Sequence, residues 1–184
     1  MQEVYITRAK RTATGSFLGS LSTVPAPMLG AEVIKAILAE SGIERELIDE
    51  VILGQVLTGG SGQNPARQSL IYAGMPVELP AMTVNKVCGS GLKAVALAAN
   101  AIKAGEGDMF IAGGQENMSL AMHGSYLRGG SKFGDTKLVD FMMYDGLTDV
   151  FSDEMMGVTA ENIAKQFNEQ RENLGRLRPS WIAI

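Results

Sequence analysis

One stretch of this chain, Asn85-Lys86-Val87-Cys88-Gly89-Ser90-Gly91, pairs a nucleophile with the backbone freedom that acyl chemistry needs. It holds the only cysteine of the sequence. Upstream, Pro80-Ala81-Met82-Thr83-Val84 reads as a short buried strand. Downstream, Leu92, Val95, Ala96, Ala99 and Ile102 recur at helical spacing, and Gly105 stops the helix. Cys88 is therefore expected at or just before the first helical turn. There, unpaired backbone N–H groups and the positive end of the helix dipole favour an anion. A thiolate is the form that attacks a carbonyl carbon, and such a position lowers the pKa of a thiol. Glycines at 89 and 91 let a flat acyl group approach both the sulfur and those N–H groups. The plainer reading is that a lone cysteine is a small buried hydrophobe. Ser90 is the weaker nucleophile, since a Gly-x-Ser-x-Gly elbow needs glycine where Cys88 stands.

The elements that must position this stretch follow from the rest of the pattern. Val4-Tyr5-Ile6 reads as a first strand and Arg8 to Ser20 as a loop. A helix runs from about Met28 to Glu40, stopped by Gly42. Val51-Ile52-Leu53 is a second strand, and Asn64-Pro65 starts another helix, Asn64 as its N-cap. After the helix that follows Cys88, Asp108 to Ala112 is a fourth strand, closed by Gly113-Gly114. Four alternations of strand and helix predict an α/β fold, a mostly parallel sheet with helices on both faces. Ligand crevices in such sheets lie beyond the carboxyl ends of the strands, where the turn before Cys88 falls. From Ser119 to Glu154 no clean period is visible, and glycines punctuate a long loop. Thr159 to Phe167 reads as one more helix.

Composition narrows the function. With 184 residues, 46% hydrophobic content and 22 glycines, the chain suits a packed α/β domain. Its net charge of −4 offers no basic face to nucleic acid. No apolar run approaches the ~20 residues of a membrane span, and no signal-peptide pattern opens the chain. A single cysteine forms no internal disulfide and suits a reducing compartment, so a cytoplasmic location is expected. No Cys/His cluster has metal-ligand spacing, so no metal is expected. His123, the only histidine, lies in a loop and reads as structural or solvated.

The residues around Cys88 resemble the acylation motif of thiolases. Other segments match in order and spacing: Arg8 to Gly15, Gly62 to Gln68, Ala112 to Ser119, Asp145 to Asp149 and Met156 to Asn162. The resemblance implies a thiolase N-terminal α/β domain over residues 1–118 and the start of an inserted loop domain over 119–167. A tail unlike the family follows over 168–184. It implies condensation of two acetyl-CoA molecules to acetoacetyl-CoA, or the reverse thiolysis, through an acetyl thioester on Cys88. Coenzyme A thioesters are then substrates and no separate cofactor is expected. The same resemblance places Met155 and Met156 at the acyl pocket as substrate-binding residues; thiolases often carry histidine where Met155 stands. It implies a homodimer or tetramer, with no nucleic-acid or membrane partner. The activating histidine, second cysteine and orienting asparagine of thiolases have no counterparts here. The chain alone is therefore expected to be inactive. Two alternatives stand beside this reading: a β-ketoacyl synthase-like condensing enzyme, and a non-catalytic subunit that acts only by association.

Overall fold

The structure is a computed structural model, and it describes residues 3–130 and 132–168. The expectation of a tail unlike the family falls, from residue 169 onward, outside the described residues. The chain divides into two compact units, Met1–Met142 and Met143–Ile184.

The first unit is organised by β1, Glu50–Gly54, the central strand of a three-stranded parallel sheet. Its run Val51-Ile52-Leu53 is apolar at every position because both faces are covered. On one side it pairs with β2, Ala81–Val84, in the register Val51 to Ala81 and Gly54 to Val84. On the other it pairs with β3, Phe110–Gly114, from Glu50 opposite Phe110 to Gly54 opposite Gly114. Side chains alternate across the sheet. Val51 and Leu53 join the larger core with Ala31, Ile34, Ala66 and Leu70 from helices α1, Ala26–Ser41, and α2, Pro65–Tyr72. Ile52 points the other way, onto Ala94 and Ala98 of α3, Ser90–Ala104. The predicted α/β layering, with helices on both faces of a parallel sheet, is what the chain adopts.

Local signals explain the ends. Gly42 closes α1 and Gly105 closes α3, both left-handed, at φ 65° and φ 77°. Asn64 caps α2 by accepting from the N–H of Arg67 at 3.2 Å, with Pro65 in the first turn.

Three expectations need correction. Val4-Tyr5-Ile6 is irregular, and Tyr5 and Ile6 are 72% and 77% exposed. The segment hydrogen-bonds to no strand among the described residues, although Ile6 lines one cavity with Ile111, Ala112 and Gly113 of the edge strand β3. The fourth strand lies two residues later than predicted, because the Asp49 carboxylate takes the N–H groups of Asp108 and Met109 at 2.7 and 2.9 Å. Gly113-Gly114 therefore belong to the ladder. Finally, α3 buries Ala94 and Ala98, whereas Leu92 is 78% exposed. The small face wins because it lets the helix axis lie close to the sheet.

The first unit also carries a short antiparallel pair, β4 (His123–Gly124) with β5 (Val139–Asp140). The second unit holds α4, Met156–Phe167, preceded by a turn in which Asp149 donates its N–H to Glu154 O at 2.8 Å. No helix among the described residues is long and apolar enough to cross a membrane.

Candidate active site around Cys88

The chain leaves β2 at Val84, makes one tight turn and enters α3 at Ser90, with Gly89 as N-cap. Cys88 thus lies one residue before the cap, and its side chain is exposed. The buried-hydrophobe reading of Cys88 does not hold.

The turn is held by side chains at both ends. Asn85 Oδ1 accepts the N–H of Val87 at 2.9 Å. Ser90 Oγ accepts the N–H of Lys86 at 2.8 Å and donates to the Val87 carbonyl at 2.6 Å. The N–H groups of Gly89 and Ser90 are used within the turn, on Lys86 O at 3.0 Å and Val87 O at 3.1 Å. The N–H of Cys88 has no hydrogen-bond acceptor among the described residues. Val87 carries a left-handed φ of 46°, which is costly for a β-branched residue. The exposed thiol and the unengaged N–H of the same residue are what a carbonyl under attack requires: a nucleophile for carbon and a donor for oxygen.

Close backbone approach sets the height of this turn above the sheet. A Cβ on Gly54, the last residue of β1, would lie 2.5 Å from the Ser90 carbonyl carbon and 2.6 Å from Gly91 N. One on Gly114, the last residue of β3, would lie 3.2 Å from Gly91 Cα. Glycines on two neighbouring strands therefore let the first turn of α3 rest on the strand ends.

The segments flanking the site serve as clamps. Asn64 Nδ2 donates to Ala81 O at 2.9 Å, and Thr83 donates to Asn64 Oδ1 at 2.8 Å. Arg67 donates to the carbonyls of Val77 and Leu79. Together they fasten α2 along β2, the strand that delivers Cys88. Beyond β3, three consecutive side chains act in different directions. Gln115 and Ser69, both buried, share a hydrogen bond of 2.6 Å, and Gln115 Nε2 donates to the buried Gln55 at 2.9 Å. Glu116 accepts from the N–H groups of Val56 and Leu57. Asn117 Nδ2 donates to the carbonyls of Leu21, Ser22 and Val24 at 3.0, 3.2 and 2.7 Å. These roles were missed in the sequence, although three amide or carboxylate side chains directly after Gly113-Gly114 were a readable signal.

A cavity of about 310 Å³ opens between the start of α1, the loop after β1 and residues 116–122. Cys88 is not among its lining residues and stands instead at the surface of the first unit. Met155 and Met156 stand at the start of α4, in the second unit. His123 is exposed, with Nε2 3.8 Å from Asp140 Oδ2, and is not among the residues that line that cavity. No cluster of His, Cys, Asp and Glu that could hold a metal exists among the described residues.

A parallel α/β layer that presents a cysteine just ahead of a helix N-terminus agrees with the outcome of comparison with known proteins. Residues 4–177 match the family described as thiolase, N-terminal domain, and the chain belongs to the thiolase family, a family of enzymes. It is 60% identical over 175 residues to an acetyl-CoA acetyltransferase of Cupriavidus necator, covering 94% of this chain and 44% of that protein. It is 58% identical over 175 residues to the acetyl-CoA acetyltransferase of Pseudomonas aeruginosa, with the same coverages. A cytosolic acetyl-CoA acetyltransferase of Rattus norvegicus is 51% identical over 169 residues, covering 92% of this chain and 43% of the relative. The chain thus spans less than half the length of the curated relatives it matches. The match to the family ends at residue 177, within the segment after Phe167.

Proposed function

We propose that this chain serves acyl transfer of the thiolase type, with Cys88 as the nucleophile and acetyl-CoA as the acyl donor. The observation that carries the reading is the exposed Cys88 thiol beside its own unengaged N–H, on a chain of the thiolase family. In the first step the thiolate attacks the acetyl carbonyl carbon. A new C–S bond forms while the bond to coenzyme A breaks, and coenzyme A leaves as thiolate. During attack the carbonyl oxygen, gaining negative charge, is received by the N–H of Cys88. In the second step an acetyl-CoA deprotonated at its methyl carbon displaces Cys88 and yields acetoacetyl-CoA. The reverse sequence is thiolysis.

The second step needs a base, and the one histidine of the sequence, His123, stands 3.8 Å from Asp140. Loss of a general base typically costs about 10²–10⁴ in rate. The 184-residue chain is therefore proposed to stop at the acetylated cysteine. Coenzyme A thioesters act as substrates, with no further cofactor. Met155 and Met156 are proposed to contact the acyl group. The name of the rat relative and the single cysteine support a cytoplasmic location. Association of copies into a dimer or tetramer is proposed to run through β2, whose outer edge has no partner among the described residues.

The test incubates the chain with acetyl-CoA, with Cys88→Ala as blank, and follows Cys88 by peptide mass spectrometry. An acetyl group on Cys88, without acetoacetyl-CoA thiolysis above the blank, is expected. Absence of acetylation at Cys88 would sink the nucleophile, and thiolysis above the blank would sink the arrest at the first step. Sedimentation velocity tests the association; a monomer across the accessible concentration range would overturn it.

A further inference from the structure

We infer that Ser90 is a positioning residue for acyl transfer, setting the Cys88 N–H toward the incoming carbonyl oxygen; this rests on the reading of Cys88 given above. Ser90 is only 5% exposed, and its Oγ bridges the turn across Cys88, from Lys86 N–H to the Val87 carbonyl. Two consequences follow from the geometry. The Val87 carbonyl and the Cys88 N–H belong to one planar peptide group, with C=O and N–H pointing in opposite directions. Fixing the carbonyl inward, onto Ser90, therefore turns the N–H of Cys88 outward. The same two bonds hold Val87 at its left-handed φ of 46°, a conformation that a β-branched residue leaves when it is not constrained. Asn85 supplies the second anchor on Val87 N–H. Gly54 admits the Ser90 backbone close enough to the sheet for the bridge to close.

Two reactions of the same sulfur separate positioning from simple folding. Alkylation by iodoacetamide forms an S–CH₂ bond, releases iodide and builds no charge on a carbonyl oxygen. Acetylation by p-nitrophenyl acetate forms an S–C(acyl) bond, breaks the ester C–O bond and releases p-nitrophenolate. Only this second reaction needs the N–H. Both are followed at Cys88 by peptide mass spectrometry, for the wild-type chain, Ser90→Ala and Asn85→Ala, with thermal unfolding recorded for each. Ser90→Ala is expected to slow acetylation by about 10- to 100-fold, as misaligned donors do, and alkylation by less than about threefold. Asn85 is exposed, so Asn85→Ala keeps the test open should Ser90→Ala fail to fold, and the same split is expected. Equal slowing of both reactions, or of neither, would overturn the inference. So would loss of folding in both variants, which would make the turn a folding element alone. Wild-type alkylation without acetylation would instead overturn the nucleophile reading, and this inference with it.

Discussion

Glu116 and Val56, 60 residues apart in sequence, meet where the sheet ends. Glu116 Oε2 accepts the N–H of Val56 at 2.8 Å and that of Leu57 at 3.2 Å. The loop leaving β1 is thereby closed on the segment leaving β3. The other oxygen, Oε1, is buried with no partner among the described residues. Hydrogen bonds to a charged acceptor contribute about 1.5–3 kcal/mol each. Glu116→Ala removes both and is expected to cost about 2–4 kcal/mol in urea unfolding, with an unchanged m-value. A loss below about 1 kcal/mol would show that the loop is held by other contacts.

Gly54→Ala drives a methyl group into the backbone of Ser90 and Gly91. Backbone cannot rotate away as a side chain can, so the start of α3 must rise from the sheet. Overpacking of this kind costs about 1–3 kcal/mol. Gly113→Ala is the matched control, because a Cβ there meets nothing within 4 Å. It is expected to change stability by less than about 0.5 kcal/mol. Equal effects at the two positions in thermal unfolding would remove the close-approach argument.

The carboxyl of Glu50, at the start of β1, is pushed above its ordinary value of 4.5 by burial and, secondarily, by the nearby Glu106 charge. A raised carboxyl binds its proton more tightly in the folded than in the unfolded chain. Stability contributed by this group therefore falls as pH rises from the ordinary Glu range through the raised one. Glu50→Gln is expected to stabilise the protein at neutral pH and to remove that part of the pH dependence. Urea midpoints measured over a pH series check it; a variant less stable than wild type at pH 7 would contradict the sign.

Asn64 joins three groups. It caps α2, accepts from Thr83 and donates to the carbonyl of Ala81, all from a left-handed φ of 40°. Loss of an N-cap alone costs about 1 kcal/mol. Asn64→Ala, which also loses the link to β2 and disfavours positive φ, is expected to cost about 2–3 kcal/mol. Asn64→Asp keeps the cap and the bond from Thr83, and loses only the donor to Ala81. Its cost should be the smaller of the two by equilibrium unfolding.

What the sequence disclosed was whatever depends on neighbours along the chain. Asn64-Pro65, Gly42 and Gly105 marked helix ends because capping is local chemistry. The apolar run Val51-Ile52-Leu53 marked a strand covered on both faces. Cys88 stood out because its glycines and the following helix lie within a few residues. What stayed hidden depends on partners far away in sequence. Val4-Tyr5-Ile6 has the composition of a strand, yet composition alone does not make it join the ladder of the neighbouring edge strand β3. The small face of α3 prevails over Leu92 because of glycines at 54 and 114, which no period within the helix reveals. The clamps from Gln115, Glu116 and Asn117 reach residues about 46 to 96 positions away.

The chain of side chains from Gln55 through Gln115 to Ser69 joins the residues just past the ends of β1 and β3 to α2, with every member buried. Such a set cannot close until all three elements have docked, since each polar group would otherwise stay with water. Its hydrogen bonds are therefore expected to form after the rate-limiting encounter of strands and helices. In kinetic terms it behaves as a latch: Gln115→Leu should leave the refolding rate near that of wild type and quicken unfolding instead. On that expectation, three uncharged side chains, none of them hydrogen-bonded to Cys88, lengthen the lifetime of the assembled sheet and with it the time over which Cys88 is held in place.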